Sequence, residues 1–130
     1  MKVLSIKEPY ATLIRYGMKM METRSWKTKY RGEIYIHASG KRIPREYRKN
    51  AELMELAAGR EMGFGHIICK AKLVDCVLMT EEFIEEVKKN HNEYVSGFYS
   101  VGRYAWILED VEVIDPIEAK GHLGIWNYEK

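Results

Sequence analysis

Cysteine is scarce in this chain: two in 130 residues, beside three prolines and three phenylalanines. Cys69 and Cys76 stand seven positions apart in one apolar run. On a single strand they would be ~23 Å apart and on opposite faces, which excludes a disulfide between them. Both thiols therefore read as small packing residues of a protein from a reducing compartment, and a cytoplasmic location is expected. The four histidines, 37, 66, 91 and 122, have no Cys-x-x-Cys or His-x-x-x-His company, so neither a metal site nor a cofactor is expected. Gly-x-Gly-x-x-Gly and P-loop patterns are missing too, which sets nucleotide-cofactor folds aside. No apolar run approaches the ~18–20 residues of a membrane span. The opening meets Lys7 and Glu8 too early for the apolar region of a signal peptide. No repeat, linker or low-complexity tract divides the chain, and residues 1–130 are read as one domain.

Net charge is also small, at +2, and at first sight it speaks against a polyanionic partner. Its distribution says otherwise. Residues 1–50 hold 13 Lys+Arg against 4 Asp+Glu, a net of +9, whereas residues 51–130 hold 8 against 15, a net of −7. Such asymmetry between halves is a sign of a basic surface. Within the positive half, residues 27–49 carry eight cations against Glu33 and Glu46, with Tyr30 and Tyr47 interleaved and Trp26 just before. Cations with aromatics are the composition of a single-strand binder, in which bases stack and charges follow phosphates. The spacing of Tyr47 with Ala51 and Met54 assigns that tyrosine to the core.

Periodicity predicts nine elements. Residues 3–6 read as a strand, 9–16 as a short helix closed by Gly17, and 19–26 as extended. A basic turn follows at 27–32, then an alternating strand at 33–38. A helix is predicted over 44–58, a β-rich run over 67–78 and a helix over 81–90 capped by Thr80. Residues 92–102 read as a loop, 104–108 as a strand continuing to Val113, and 125–128 as a closing strand. Helices and strands do not alternate strictly, so a doubly wound parallel sheet is disfavoured. The pattern fits an α+β domain: a small mixed sheet, curled toward a barrel and flanked by about three helices.

The most informative stretch is Gly17-x-Lys19-x-x-Glu22-x-Arg24-x-Trp26, preceded by Leu4-Ser5 and Pro9-Tyr10-Ala11 and followed by Tyr30-Arg31-Gly32 and His37-Ala38-Ser39. It resembles the opening of the activating signal cointegrator homology (ASCH) domain. Gly65-x-Ile67, Val74-Asp75-Cys76, Tyr104-Ala105-Trp106 and the tail from Pro116 through Lys120-Gly121 to Trp126 extend the resemblance over nearly the whole chain. The resemblance implies a PUA-like β-barrel with peripheral helices, and a cleft lined by the Lys/Glu/Arg motif that binds RNA or DNA. One branch of this family consists of amidohydrolases that act on acetylated cytidine, with a threonine nucleophile three residues after the motif lysine. Here that position is Glu22, so this mechanism does not carry over intact, and the chain resembles the cointegrator-type branch.

Strand parity puts Glu22 and Arg24 on one face and Lys19 on the other, although Lys19 sits at the turn after Gly17. In the binding reading, Lys19 and Arg24 contact phosphate or base oxygens and Glu22 accepts from an exocyclic amine or positions Lys19. Tyr10 either borders the cleft and stacks a base or has a packing role, and Trp26 is an aromatic of the adjoining basic stretch. Lys27, Lys29, Tyr30, Arg31, Lys41 and Arg42 supply an adjoining basic surface with its salt-dependent attraction. The expected partner is RNA or single-stranded nucleic acid, or a modified nucleoside. A rival reading is a small hydrolase, amidohydrolase or ribonuclease-like, with Lys19 and Glu22 as its catalytic candidates. A third is a protein-interaction module docking through the acidic C-terminal half. His37 reads as a core or barrel-lining histidine, and Lys120-Gly121-His122 as a loop that could approach the same cleft. Oligomeric state is not legible.

Overall fold

The computed structural model describes residues 1–129. Among the described residues, six strands and five helices follow one another: β1 (Lys2–Ile6), α1 (Tyr10–Arg15), β2 (Met21–Arg24), β3 (Gly32–Ala38), α2 (Arg45–Arg48), α3 (Ala51–Ala57), β4 (His66–Leu78), α4 (Glu81–Lys88), α5 (His91–Val95), β5 (Tyr104–Glu118) and β6 (Ile125–Asn127). The strands form one mixed sheet in the order β2-β5-β4-β3-β1-β6. β1 pairs with β3 in parallel, and the other pairs are antiparallel.

The sheet curls strongly. Four strand steps separate β2 from β1, which in a flat sheet would be ~19 Å. Yet Arg24 Nη2, on β2, donates to the Ser5 carbonyl of β1 at 2.8 Å. The bend comes from the long β4–β5 ladder, where register shifts interrupt the pairing at three places. Asp110 turns through a positive φ of 53° on β5. Bulges of this kind sharpen the right-handed twist and bend the strand that carries them. The fold is the α+β, barrel-like architecture expected of a PUA-like domain.

Alternation along β1 and β3 gives each face of the sheet its own apolar layer. Leu4, Ile6, Ile34 and Ile36 face α1, whose Leu13 and Ile14 complete the main core with Leu73, Trp106 and Leu108. Val3 faces the other way and packs with Ile67 and Trp126.

Three expectations are corrected. The helix expected at 44–58 breaks in two, because Asn50 takes an extended conformation and its side chain accepts from Leu53 N–H to cap a new helix. The loop expected at 92–102 begins inside α5, capped in the same way by Asn90 on Glu93 N–H. β5 runs on past Val113 to Glu118. Both cysteines lie on β4 and are free thiols. Burial pushes the Cys69 thiol up to about 12, which makes it unreactive at neutral pH. Among the described residues, no helix is long and apolar enough to cross a membrane.

Candidate functional site

The curl brings the ends of β1, β2 and β3 together with the loop after β5, and between them lies a cleft of about 1200 Å³. Small-molecule pockets usually hold roughly 300–1,000 Å³, so this one has room for more than a single small ligand.

Its floor is the Glu22–Arg24 pair. Both residues lie on β2 two positions apart, hence on one face. Arg24 Nε donates to Glu22 Oε2 at 3.0 Å, and Arg24 Nη2 lies 3.0 Å from the same oxygen. Among the described residues, Glu22 Oε1 and Arg24 Nη1 have no hydrogen-bond partner. A free acceptor thus sits beside a free donor at the bottom of the cleft.

One wall is aromatic. Tyr10, Trp26, Tyr47 and Phe98 all line the cleft. The Tyr47 ring lies 4.9 Å from Tyr10 and 5.8 Å from Phe98. Trp26 stands edge-on to the buried Trp106 at 4.7 Å, which fixes its orientation while 39% of it stays exposed. Burial raises the pKa of the Tyr10 and Tyr47 hydroxyls, so both rings are neutral donors at physiological pH. The rim is basic, with Lys7, Lys41, Arg103 and Lys120 outnumbering Glu118.

Another part of the lining is a polar network. Ser5 and His37 are register partners across β1 and β3. His37 Nε2 lies 2.7 Å from the Ala119 carbonyl, which can only accept, so Nε2 carries the proton. Nδ1 is then an acceptor, and the Ser5 hydroxyl donates to it at 2.9 Å. Trp126 Nε1–H donates in turn to Ser5 Oγ at 3.0 Å. Burial pushes the His37 pKa down and favours this neutral tautomer. Gly121 closes over the network: a Cβ there would lie 2.9 Å from both Ser5 Oγ and His37 Cε1, so no larger residue fits without movement.

Lys19 falls elsewhere. It is fully buried, and its Nζ donates to the Ser96 carbonyl at 2.5 Å while lying 5.0 Å from the Tyr10 ring centroid. It sits behind the aromatic wall, so direct contact with a phosphate is closed to it. Burial lowers its pKa, and the carboxylates of Glu22 and Glu93 act in the other direction. Glu93 belongs to the same support, accepting from Met20 N–H at 2.7 Å and from the Tyr99 hydroxyl at 3.3 Å. Gly97 lets this segment lie close, since a Cβ there would come within 3.2 Å of Lys19 Nζ. Lys19 therefore anchors residues 96–99, which present Phe98 to the cleft.

Of the other expected site residues, Tyr10, Glu22, Arg24, Trp26 and Lys41 line the cleft, whereas Lys27, Lys29, Tyr30, Arg31 and Arg42 do not. Tyr30 and Arg31 lie just before β3, ~20 Å of extended chain from His37. There the Tyr30 hydroxyl donates to the Glu33 carbonyl, and Arg31 is drawn to the Thr28 and Tyr30 carbonyls and to Asp75. Phe98 and Arg103 were not anticipated, because they arrive from the segment between α5 and β5, about 75 residues from the motif. Tyr47 was expected in the core: it packs against that core and also faces the cleft. Among the described residues, no group of three or more His, Cys, Asp and Glu side chains is placed to hold a metal ion.

A family model described as the ASCH domain matches residues 4–118, and the chain belongs to that family. Activating signal cointegrator 1 of Mus musculus is 30% identical over 130 residues, covering 95% of this chain and 21% of that protein. The Homo sapiens protein of the same name is 28% identical with the same coverage. The chain thus matches about a fifth of the length of these curated relatives. The likeness is to the cointegrator-type branch, as the Glu22 substitution implied.

Proposed function

We propose that the cleft binds single-stranded nucleic acid, RNA or DNA. The observation that carries this reading is one cavity combining the rings of Tyr10, Trp26, Tyr47, Phe64 and Phe98, a carboxylate–guanidinium pair with a free acceptor and a free donor, and a basic rim. Rings provide stacking for any base at ~1–3 kcal/mol each. The Glu22–Arg24 pair suits a base edge that offers a donor next to an acceptor. Lys7, Lys41, Arg103 and Lys120 follow the phosphates and make binding salt-dependent. Lys19 and Glu22 do not form a catalytic couple in this reading: one supports the wall and the other contacts the base.

The test is fluorescence anisotropy with labelled RNA and DNA oligonucleotides at rising salt. Binding at ~50 mM salt that weakens steeply by ~200 mM is expected. Absence of binding to every oligonucleotide at ~50 mM would overturn the proposal.

One observation favours a hydrolase as second reading: the Ser5 hydroxyl donates to an unprotonated His37 nitrogen inside the cleft. Ser5 Oγ would attack the acyl carbon and displace the amine, His37 passing the Ser5 proton to it. A water deprotonated by His37 would then cleave the acyl–Ser5 ester, releasing the carboxylic acid and returning the proton to Ser5. Turnover of acylated cytidine that disappears in Ser5→Ala would establish it, and turnover unchanged by that substitution would dismiss it.

A further inference from the structure

Leu123 is 98% exposed, more than any other large apolar residue described. A lone exposed leucine is ordinary on a protein surface. This one differs in where it stands and in how its loop is held. It tips the segment Ala119–Gly124, all of which lines the cleft.

That segment is fastened along its length. The His37 ring donates to the Ala119 carbonyl at 2.7 Å, and Ala119 N–H donates to the Gly65 carbonyl at 3.0 Å. Gly121 is pressed against Ser5 and His37. The His122 ring packs on Trp126 at 5.0 Å, and Gly124 turns the chain into β6 through a φ of 66°. Ala119, Gly121 and His122 thus tie the loop to the body of the domain, and the leucine that follows them points into solvent. Lys120 lies on the same loop, and Lys41 lines the cleft nearby.

We propose that Leu123 is a wedge that enters the base stack of a bound strand while one displaced base passes into the cleft. The inference rests on the binding reading above and adds its mode of engagement. Taking a base out of its stack requires an apolar side chain to fill the gap, a cavity with rings and polar groups to receive the base, and cations to hold the flanking phosphates. Leu123 supplies the first, the Tyr10, Tyr47 and Phe98 wall with Glu22 the second, and Lys41 and Lys120 the third. Charge selects the occupant: a leucine flanked by Lys120 and continuous with a basic cleft suits a strand carrying phosphates.

The probe is an adenine-rich single strand with one internal 2-aminopurine, whose fluorescence is quenched by stacking. Binding of the unsubstituted chain should raise that fluorescence several-fold. Leu123→Ser should abolish the rise and weaken binding by about tenfold, in keeping with burial of one leucine side chain. Leu123→Met should restore both. A residue this exposed can be replaced without unfolding the domain. Binding with no rise, or an equal rise in Leu123→Ser, would overturn the wedge and leave the binding reading standing. Affinity and fluorescence both unaffected by Leu123→Ser would overturn the wedge. Absence of binding at ~50 mM salt would remove both proposals together.

Discussion

Lys19 and Arg24 belong to one short motif, five residues apart, yet the fold sends them to opposite sides of an aromatic wall. Behind the wall, Lys19 is fully buried with Ser96, Glu93 and Tyr99 around it. In front, Arg24 keeps one edge open to a wide cleft and one free donor. A motif read as a single binding cluster is therefore two devices. The rear half sets the position of the wall, and the front half meets whatever enters.

The sharpest way to break this comparison is Lys19→Met, which keeps the aliphatic stem and deletes the charge. The Ser96 carbonyl then loses its donor, and the Glu22 and Glu93 carboxylates lose a nearby cation. Removing one partner from a buried charged cluster typically costs ~3–5 kcal/mol. A large drop in the urea midpoint is expected, together with easier proteolysis around residues 96–99. A variant as stable as the unsubstituted chain would show that the rear cluster does not hold the wall.

Phe98→Ala should show the converse. The ring is about half exposed, so the melting temperature should hardly move. Oligonucleotide affinity should fall by ~1–3 kcal/mol with the loss of one stacking surface. Titration by anisotropy checks the affinity, and a thermal melt checks the fold.

The frame of this division was legible in the sequence, and its depth was not. The alternating run at 33–38 and the motif residues Glu22 and Arg24 predict a strand face, and they occupy one. The basic turn at 27–32 carries the strongest local charge signal but lies outside the cleft, because charge density along a chain says nothing about which end of a strand it reaches. Lys19 could not be placed from spacing, since its burial depends on the segment around Ser96, which reads locally as a polar loop. Phe98 and Arg103 enter the site through long-range packing alone. His37 offered no recognisable spacing, because its partners Ser5, Ala119 and Trp126 are spread over more than a hundred residues.

His37 gives a third, smaller contrast, between the polar network and the aromatic wall. Its pKa is lowered from 6.5 by burial, with His66 and His122 acting in the same direction and the bond to the Ala119 carbonyl opposing them. The unfolded chain therefore binds a proton near pH 6.5 that the folded chain still refuses. Stability should be constant above that pH and decline as pH falls from about 6.5 toward the lowered value. A protonated Nδ1 also ceases to accept from Ser5, while Nε2–H keeps its bond to the Ala119 carbonyl. Urea unfolding of the parent chain and of His37→Gln, compared between pH 5 and 7.5, checks this. Equal slopes in the two proteins would assign the pH dependence to other groups.

The smallest expected effect separates the cleft from the basic turn. Lys27 and Lys29 are exposed on the turn and do not line the cleft, whereas Lys41 does. If bound phosphates follow the cleft rim, Lys41→Ala should lower the slope of log affinity against log salt by ~1. Lys27→Ala and Lys29→Ala together should change it by less than that single substitution. Both variants should melt with the parent chain, because none of these side chains makes a buried contact. The opposite ranking would move the phosphate path off the cleft and onto the turn. The Glu22–Arg24 pair would then be a strut that closes the curled sheet, and the aromatic wall would have to be explained without a base.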